Sequence, residues 1–225
     1  MDFVFIILFV IVILLIYILY HVTKYNRALV TQNYLKNGIS PINMSALSNY
    51  NTNTYAYEIW INVNTLNNMS AFSTNNVASA NVNGNIFYIT NCISLDVYNN
   101  DALYVNIYNG SSGYTNYKVT SALELQSWQQ IIISVSKNNI LDLYLNGKLI
   151  SSINTNSGIP VPTSAATINF GRADSFIAKF NRLNKQMNTN TAWKLYLEGN
   201  AGVIPVHAGV SLLKNSYVTN TYTFF

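Results

Sequence analysis

The sequence predicts an all-β fold, an antiparallel β-sandwich or jelly roll with one short helix, preceded by a single N-terminal transmembrane helix. Three patterns indicate this fold. Short runs between residues 55 and 171 alternate apolar and polar side chains with a period of two, as half-buried strands do. The dipeptide Asn146-Gly147 lies between two such runs, which is the strongest short signal for a hairpin. Residues 3–20, by contrast, form one unbroken apolar run.

The apolar run at residues 3–20 reads FVFIILFVIVILLIYILY and contains no charged residue, glycine or proline. As a helix it would rise about 27 Å, close to the thickness of a bilayer's hydrocarbon core. A signal peptide is disfavoured because Met1-Asp2 is not basic and no small-residue cleavage site follows the run; a buried core helix is the other alternative. We predict a membrane anchor with representative positions Phe3, Ile6, Leu8, Val10, Val12, Leu15, Tyr17 and Tyr20.

Flanking charge predicts the orientation of this anchor. Lys24 and Arg27 follow the apolar run, whereas Asp2 precedes it. Basic flanks favour the cytosolic side of a membrane. We therefore predict a single-pass protein whose C-terminal domain lies on the cytosolic side. The single cysteine, Cys92, agrees with a reducing compartment, and its place on an alternating strand predicts a small core residue.

Composition divides the chain into four parts. Residues 1–27 hold the anchor and its basic flank. Residues 28–54 are polar and aperiodic, which is typical of a tether or a loosely packed lead-in. Residues 55–199 hold the alternating runs and form the predicted jelly roll. Residues 200–225 are predicted to form a β extension packed on it.

Within the predicted jelly roll, turn residues separate short strands. Residues 187–199 break the two-residue period and predict a helix that begins after Asn188 or Thr189 and ends at Gly199. Many short strands separated by turns favour a sandwich or jelly roll over other all-β folds. The predicted strands are 55–63, 85–90, 92–98, 102–108, 128–136, 139–154 and 166–171.

Low charge limits the classes of function. Charged residues make up 9% of the chain, against about 25% in an average soluble domain. The basic residues are scattered, so nucleic acid is not an expected partner. Roughly one residue in six is Asn, far above average usage. The resulting neutral, hydrogen-bonding surface suits a protein packed among neighbours, although base bias in an AT-rich genome would also enrich Asn.

The titratable residues do not predict an enzyme. Retaining glycosidases need two carboxylates about 5–5.5 Å apart. The closest acids in the sequence, Asp96 and Asp101, are five positions apart, so a pair could assemble only from separate strands. No nucleophile-elbow motif is present, and His207 is a lone histidine in an apolar segment. We predict no catalytic residues and no cofactor.

Three groups of residues are candidate binding sites, each with a structural alternative. Asp96 and Asp101 are weak candidates for a calcium site, or else belong to a solvated turn. A basic group could contact phospholipid headgroups or an acidic partner, or else form a solvated rim; it consists of Arg172, Lys179, Arg182 and Lys185. The tryptophans could form a sugar platform, but their apolar context favours core packing; they are Trp60, Trp128 and Trp193.

Three segments in order carry a family resemblance: YEIWINV, WQQIIISVSKNNILDLYLNGKLISS and INFGRADSFIAKFNRLNKQMNTNTAWKLYLEG. The first holds Trp60, and the second opens with Trp128 before an L-Y-L-N-G hairpin. The third ends with a motif that runs from Trp193 through Tyr196 to Gly199. In these motifs residues 55–199 resemble the concanavalin A-like lectin/glucanase superfamily, and within it the laminin-G-like jelly rolls. The resemblance implies an antiparallel jelly roll.

The whole arrangement of anchor, asparagine-rich body and closing β extension also resembles membrane-associated proteins of large double-stranded DNA viruses. This implies a non-enzymatic minor capsid or virion protein that links an internal membrane to the protein shell. Its partners would be the bilayer, through residues 3–20, and neighbouring shell proteins. The alternative is a membrane-anchored, lectin-like module that binds glycan. Glycosylation at the sequons Asn43, Asn68 or Asn109 would indicate a lumenal domain and count against the capsid role.

Overall fold

Two six-stranded antiparallel sheets pack face to face in a computed structural model of the chain. The structure describes residues 3–25, 28–66, 84–98, 102–110, 113–155, 158–200, 209–214 and 217–223. Within the first helix it describes the side chains of residues 5 and 7–19, and in the last two strands it describes the backbone alone. The predicted all-β sandwich with one short helix is confirmed.

The strand order combines hairpins of consecutive strands with antiparallel pairs of strands that are distant in sequence. In spatial order, sheet A consists of β1 (Val30–Tyr34), β12 (Ser175–Leu183), β3 (Tyr55–Val63), β8 (Trp128–Val135), β9 (Ile140–Leu145) and β10 (Lys148–Asn154). Sheet B consists of β2 (Ile42–Asn43), β11 (Thr167–Phe170), β4 (Asn85–Ile89), β5 (Ile93–Val97), β6 (Leu103–Tyr108) and β7 (Tyr114–Thr120). Two 3₁₀ turns, Leu35–Asn37 and Met44–Ala46, flank β2.

The core lies between the sheets and is built by the two-residue alternation. In β3, Tyr57, Ile59 and Ile61 point inward and are almost completely buried. The rings of Tyr57, Phe87 and Phe180 meet at the centre, with the Phe87 and Phe180 centroids 5.1 Å apart. Cys92 is buried in this core, which confirms its predicted packing role.

The interpretation of residues 28–54 as a tether is wrong for the part that enters the sandwich. β1 pairs with β12 at one edge of sheet A, and β2 pairs with β11 at one edge of sheet B. Leu35 and Met44 are fully buried in the core. The segment has no two-residue period because its strands are short edge strands, so only isolated side chains face the core.

The hairpin at Asn146-Gly147 is confirmed. Both residues have positive φ, 49° and 75°, as the two central positions of a type I′ turn require. β9 and β10 leave this turn with Leu145 opposite Lys148 and Tyr144 opposite Leu149.

The second helix, α2 (Thr189–Leu197), is also confirmed and packs on the outer face of sheet A. The side chain of Asn188 caps it, accepting a 2.8 Å hydrogen bond from Thr191 N. Beneath α2 lies a small apolar cluster separate from the main core, formed by Ala56, Ile132, Tyr144, Met187 and Ala192.

The N-terminal helix, α1 (Phe3–Tyr25), is continuous over 23 residues. Its described aliphatic and aromatic side chains, residues 5 and 7–19, are exposed. Over the described residues, no helix is both long enough and apolar enough to span a membrane.

The C-terminal part forms a separate hairpin of β13 (Gly209–Lys214) and β14 (Tyr217–Thr223), paired with each other in a two-stranded sheet. Its side chains lie outside the described residues, as does His207. The packing of residues 200–225 on the jelly roll therefore stays a prediction.

Candidate functional site

The outer face of sheet B carries tyrosines and amides. In β6, Val105 points into the core, so its neighbours Tyr104 and Asn106 point outward. The same alternation turns one row of β4, β5 and β7 outward, and the ring of Tyr98 packs against Tyr104 beside that row. We call this surface the tyrosine face; it consists of Tyr88, Tyr98, Tyr104, Asn106, Tyr108, Tyr114, Asn116 and Lys118.

A buried carboxylate forms the floor of the tyrosine face. Asp96, in the middle of β5, is 2% exposed. Its Oδ1 accepts a 2.6 Å hydrogen bond from Asn85 Nδ2. Its Oδ2 accepts a 2.5 Å bond from Ser94 Oγ and a further bond from Asn106 Nδ2. All three donors are neutral, so none of them carries a charge that balances the carboxylate.

Burial therefore dominates the acidity of this group. Desolvation raises the pKa of Asp96 to about 7, although the hydrogen bonds from Ser94, Asn85 and Asn106 lower it. Near neutral pH the floor can hold either a carboxylic acid or a carboxylate. Two acceptor atoms of the floor, Asn85 Oδ1 and Asn106 Oδ1, are buried and accept no hydrogen bond from a described group.

Half-exposed tyrosines surround this floor. Tyr98 and Tyr104 meet edge to face with centroids 4.7 Å apart, and Tyr108 and Tyr114 do so at 5.4 Å. Lys118 Nζ lies 5.8 Å from the centroid of Tyr104. Ring packing of this kind holds the aromatic side chains in place. The surface is therefore suited to binding by stacking and hydrogen bonding.

The outer face of sheet A is closed by comparison. Glu58 is fully buried there, and its Oε1 lies 3.3 Å from Lys179 Nζ and accepts a 2.9 Å bond from Gln130 Nε2. Lys179 Nζ also lies 3.2 Å from Glu198 Oε2, just beyond the end of α2. The ammonium thus joins sheet A to the C-terminus of α2.

Two carboxylates meet in this network, Glu58 of β3 and Glu198 at the end of α2. Both carboxylates contact the same ammonium, and Glu58 has no solvent-exposed surface. A glycosidase needs room for the sugar between its carboxylates, and here Lys179 fills that room. The arrangement stabilises the fold and leaves no open position for a substrate.

The two calcium candidates have different outcomes. The solvated-turn interpretation is wrong for Asp96. This residue lies in β5, on the outer face of sheet B, and three neutral donors bury its carboxylate. Asp101 lies outside the described residues.

The predicted basic group does not form one surface. Arg172 and Lys185 are exposed, but Lys179 is buried between two glutamates. Arg182 donates a 2.8 Å hydrogen bond to Tyr50 O, and its guanidinium carbon lies 5.4 Å from the ring of Tyr55. Lys179 and Arg182 therefore stabilise the fold. The prediction that all four basic residues form one contact surface is wrong.

The three tryptophans also differ in burial. Trp60 is buried, as core packing predicts, and stacks on Tyr196 with centroids 5.7 Å apart. Trp128 is half-buried. For Trp193 the core interpretation is wrong: it lies on α2 against the turn between β9 and β10 and is 43% exposed.

The anchor residues are described in part. Leu8, Val10, Val12, Leu15 and Tyr17 are exposed on α1. Phe3, Ile6, Tyr20 and Lys24 contribute backbone to α1, but their side chains lie outside the described residues, and Arg27 lies outside altogether.

The sequence analysis missed the tyrosine face. The alternation in residues 102–108 already places Tyr104, Asn106 and Tyr108 on one side of a strand. The association of that strand with Asp96 and Lys118 depends on the pairing of β6 with β5 and β7, which the sequence pattern does not specify.

The fold that carries this face is a two-sheet jelly roll. The model of the concanavalin A-like lectin/glucanases superfamily, in its laminin-G form, matches residues 37–204. The chain belongs to this superfamily. No curated protein matches the chain.

Solved structures with a similar fold include two binding domains of bacterial toxins. The receptor binding domain of botulinum neurotoxin C/D mosaic serotype superposes with a TM-score of 0.52 at 14% identity, over 71% of this chain and 42% of that one. The binding domain of botulinum neurotoxin serotype D gives a TM-score of 0.51 at 15% identity, over 66% of this chain and 38% of that one. The chain thus spans about two fifths of the length of these structures, and the likeness concerns the fold alone.

Proposed function

We propose that this protein is a non-enzymatic structural module, anchored in a bilayer by α1, whose jelly roll links that membrane to neighbouring proteins. The observation that carries the proposal is the tyrosine face, an ordered and half-exposed aromatic surface with Lys118 as its one charged member. Tyrosine supplies large amphipathic contact area and loses little conformational entropy on binding. Such side chains are enriched in the centres of protein interfaces.

The anchor is proposed from the sequence of residues 3–20 and from the continuity of α1 through that run. Its 23 residues rise about 34 Å. Each Leu, Ile, Phe or Val at the centre of a spanning helix contributes about −0.3 to −0.6 kcal/mol to insertion. The basic flank at Lys24 and Arg27 favours a cytosolic jelly roll. Within this class we propose the role of a minor capsid or virion protein at an internal membrane, on its resemblance to proteins of large DNA viruses.

Two arrangements of carboxylates support a role without catalysis. Asp96 has no acidic neighbour among the described residues that bond to it. Glu58 and Glu198 are bridged by Lys179. Binding through the tyrosine face needs no acid pair.

Lysine cross-linking with mass spectrometry on the native membrane or particle preparation tests the linker role. We expect reproducible links from Lys118, on the tyrosine face, to shell proteins. The paired substitution Tyr104→Ser with Tyr108→Ser should remove those links, while links from Lys137, in the exposed turn before β9, should persist as the control. Lys179 should give no links because it is buried. Links from Lys118 confined to this chain itself would overturn the proposal.

The anchor has its own test. After extraction of membranes with alkaline carbonate, the full chain should stay with the membrane. Val12→Arg with Leu15→Arg should release it, since each charge at a helix centre costs about 2.5–3.5 kcal/mol. The control pair, Val12→Leu with Leu15→Ile, should stay. Release of the unaltered chain would contradict anchoring, and glycosylation at Asn43, Asn68 or Asn109 would contradict the cytosolic side.

A second candidate function is glycan binding by the same surface. The rings of Tyr98 and Tyr104 lie beside the buried Asp96 and Asn106, and saccharides bind to combinations of an aromatic face with amide and carboxylate groups. A glycan array probed with the full chain in detergent tests this candidate. Binding that Tyr104→Ser abolishes and that Lys137→Ser leaves unchanged would favour the lectin role; an array without hits would remove it.

A further inference from the structure

A second exposed surface, on the outer face of sheet A, is apolar. In α2, Trp193 is 43% exposed and Leu197 is 66% exposed. They are four residues apart and therefore lie on the same side of the helix. Leu149 of β10 is exposed to a similar extent. We call these three residues the α2 patch.

The residues that α2 and β10 contribute to the α2 patch form one continuous surface. Leu149 lies directly opposite Tyr144 in the β9–β10 pair, so the two side chains share a face. Tyr144 packs in the cluster beneath α2. At the turn before Leu149, a Cβ on Gly147 would lie 2.9 Å from Trp193 Cε3 and 3.1 Å from Trp193 Cα. The helix therefore rests on the hairpin.

The α2 patch is held rigidly. Tyr196 stacks on Trp60 from one side and contacts the ring of Trp193 at 5.4 Å on the other. Asn188 caps the start of the helix, and Lys179 binds Glu198 at its end. The exposed side chains thus belong to a fixed helix.

The exposed charged residues next to the patch in sequence are basic. Lys194 follows Trp193 on α2, and Lys148 precedes Leu149 on β10. The acids of this face are buried or paired: Glu58 and Glu198 share the ammonium of Lys179, and the buried Asp142 accepts a 2.6 Å bond from Ser152. Tryptophan and leucine flanked by lysine suit the interface of an anionic bilayer, where the ring lies at headgroup level and the ammonium groups are attracted to the anionic headgroups.

The connection to α1 permits this contact. α1 ends at Tyr25 and β1 begins at Val30, and the five Cα–Cα steps between them span at most about 17 Å. β1 and β10 are opposite edges of the six-stranded sheet A, about 24 Å apart at the usual strand spacing. With α1 in a bilayer, the outer face of sheet A can therefore lie along the membrane.

We propose that the α2 patch inserts into the headgroup interface of the anionic bilayer that α1 enters, so that sheet A faces the membrane and the tyrosine face points away from it. This inference rests on the proposed anchoring. It gives the linker a defined orientation, with lipid on one sheet and protein partners on the other.

Site-specific fluorescence tests the orientation. The single native cysteine, Cys92, is buried and burial raises the pKa of its thiol to about 12, so an introduced cysteine can be labelled selectively. The full chain carrying Leu197→Cys, labelled with an environment-sensitive dye, is reconstituted in vesicles of phosphatidylcholine and phosphatidylserine. We expect emission at shorter wavelength and quenching by brominated acyl chains. The control, Asn116→Cys on the tyrosine face, should show neither, and Leu149→Cys provides a second position in the patch.

The outcomes separate this inference from the anchoring. If the chain resists carbonate extraction but the labels at positions 197 and 149 stay water-like, the orientation is wrong and the anchor stands. If the chain is extracted, the anchoring itself fails. A shift that follows the protein-to-lipid ratio without bromolipid quenching would indicate contact with a second copy, and would overturn the inference. Lys148→Glu with Lys194→Glu should reduce the quenching, whereas Lys137→Glu should not.

Discussion

On each outer face of the sandwich a carboxylate is buried in a different environment, Glu58 on sheet A and Asp96 on sheet B. On sheet A, Glu58 lies beside the ammonium of Lys179, and α2 covers the pair. On sheet B, Asp96 receives hydrogen bonds from Asn85, Ser94 and Asn106 and no ion pair. A buried charge is costly unless it is paired and hydrogen-bonded. The ion pair on sheet A therefore stabilises a face that α2 covers. On sheet B, a carboxyl group whose ionisation depends on pH lies beneath a face that is open to solvent.

The largest expected effect comes from breaking the pair on sheet A. Lys179→Met leaves Glu58 buried without its counter-ion and should lower the free energy of unfolding by about 3–5 kcal/mol. Urea unfolding of the full chain in detergent, followed by tryptophan fluorescence, measures this loss.

Lys185→Met is the matched control for that substitution, because Lys185 is exposed just before α2. It should change stability by no more than about 0.5 kcal/mol. Adding Glu58→Gln to Lys179→Met should recover part of the loss. Equal losses at Lys179 and Lys185 would show that the ion pair on sheet A contributes nothing.

The next effect concerns the floor of the tyrosine face. A Cβ on Gly171 would lie 1.8 Å from Asn85 O, and Asn85 donates to Asp96. Gly171→Ala should displace this strand and lower the free energy of unfolding by about 1–3 kcal/mol. The control is Gly199→Ala, which meets no atom within 4 Å but has φ of 74° and should cost about 1 kcal/mol of backbone strain. A smaller loss at Gly171 than at Gly199 would contradict the tight packing of the floor.

The pH dependence of stability tests the buried carboxylate on sheet B directly. The pKa of Asp96 in the folded state, about 7, lies above its ordinary value of 3.8. The folded state therefore binds the proton more tightly, and ionisation above pH 7 destabilises it. As pH falls from about 7 towards 4, the unfolding free energy should rise by up to about 1.4 kcal/mol per pH unit from this group.

Asp96→Asn should remove that rise, and unfolding curves of both chains at several pH values measure the difference. The charged group nearest in register is Lys118, which lies across Tyr104 from Asp96, so Lys118→Met tests its contribution. Asp174 provides a contrast of opposite sign. The ammonium of Lys36 and the donors Asn64, Tyr34 and Thr65 hold its pKa well below the usual range, so its stabilisation is lost only below about pH 4. Identical pH profiles for the unaltered chain and Asp96→Asn would contradict the raised pKa.

The smallest expected effect is at the start of α2. Asn188→Ala removes the side-chain cap on Thr191 N and should cost about 1 kcal/mol. Asn190→Ala, two residues further and exposed, should change stability little. In the labelled full chain, the loss of the cap should also weaken bromolipid quenching at position 197, because a frayed helix presents the α2 patch less rigidly.

Several elements could be predicted from the sequence because they depend on local patterns. β3 has the predicted bounds, residues 55–63, and α2 begins at its predicted cap, Asn188. β1 and β7 were not predicted, since an edge strand needs only a few inward side chains. β12 was missed for another reason. It is buried on both faces, and Lys179 in its middle has a φ of 48° at a break in the β3 register, so the two-residue period is lost.

The candidate sites were less predictable than the strands. Arg172, Lys179, Arg182 and Lys185 are close in sequence, but alternation and the bulge in β12 send them to different environments. The residues of the tyrosine face, by contrast, lie on different strands and are brought together by the fold. Asp96, Tyr104 and Lys118 meet only through the pairing of β5, β6 and β7.

The sequence by itself determined the class of fold, the main strands, the hairpin at Asn146-Gly147 and the apolar character of α1, because each depends on the period of side chains along a few residues. The tertiary structure alone decided which charges are buried and which are accessible. That decision needs strands brought together from distant parts of the chain. Glu58 and Lys179 lie more than a hundred positions apart, and only the antiparallel pairing of β3 with β12 places them in contact.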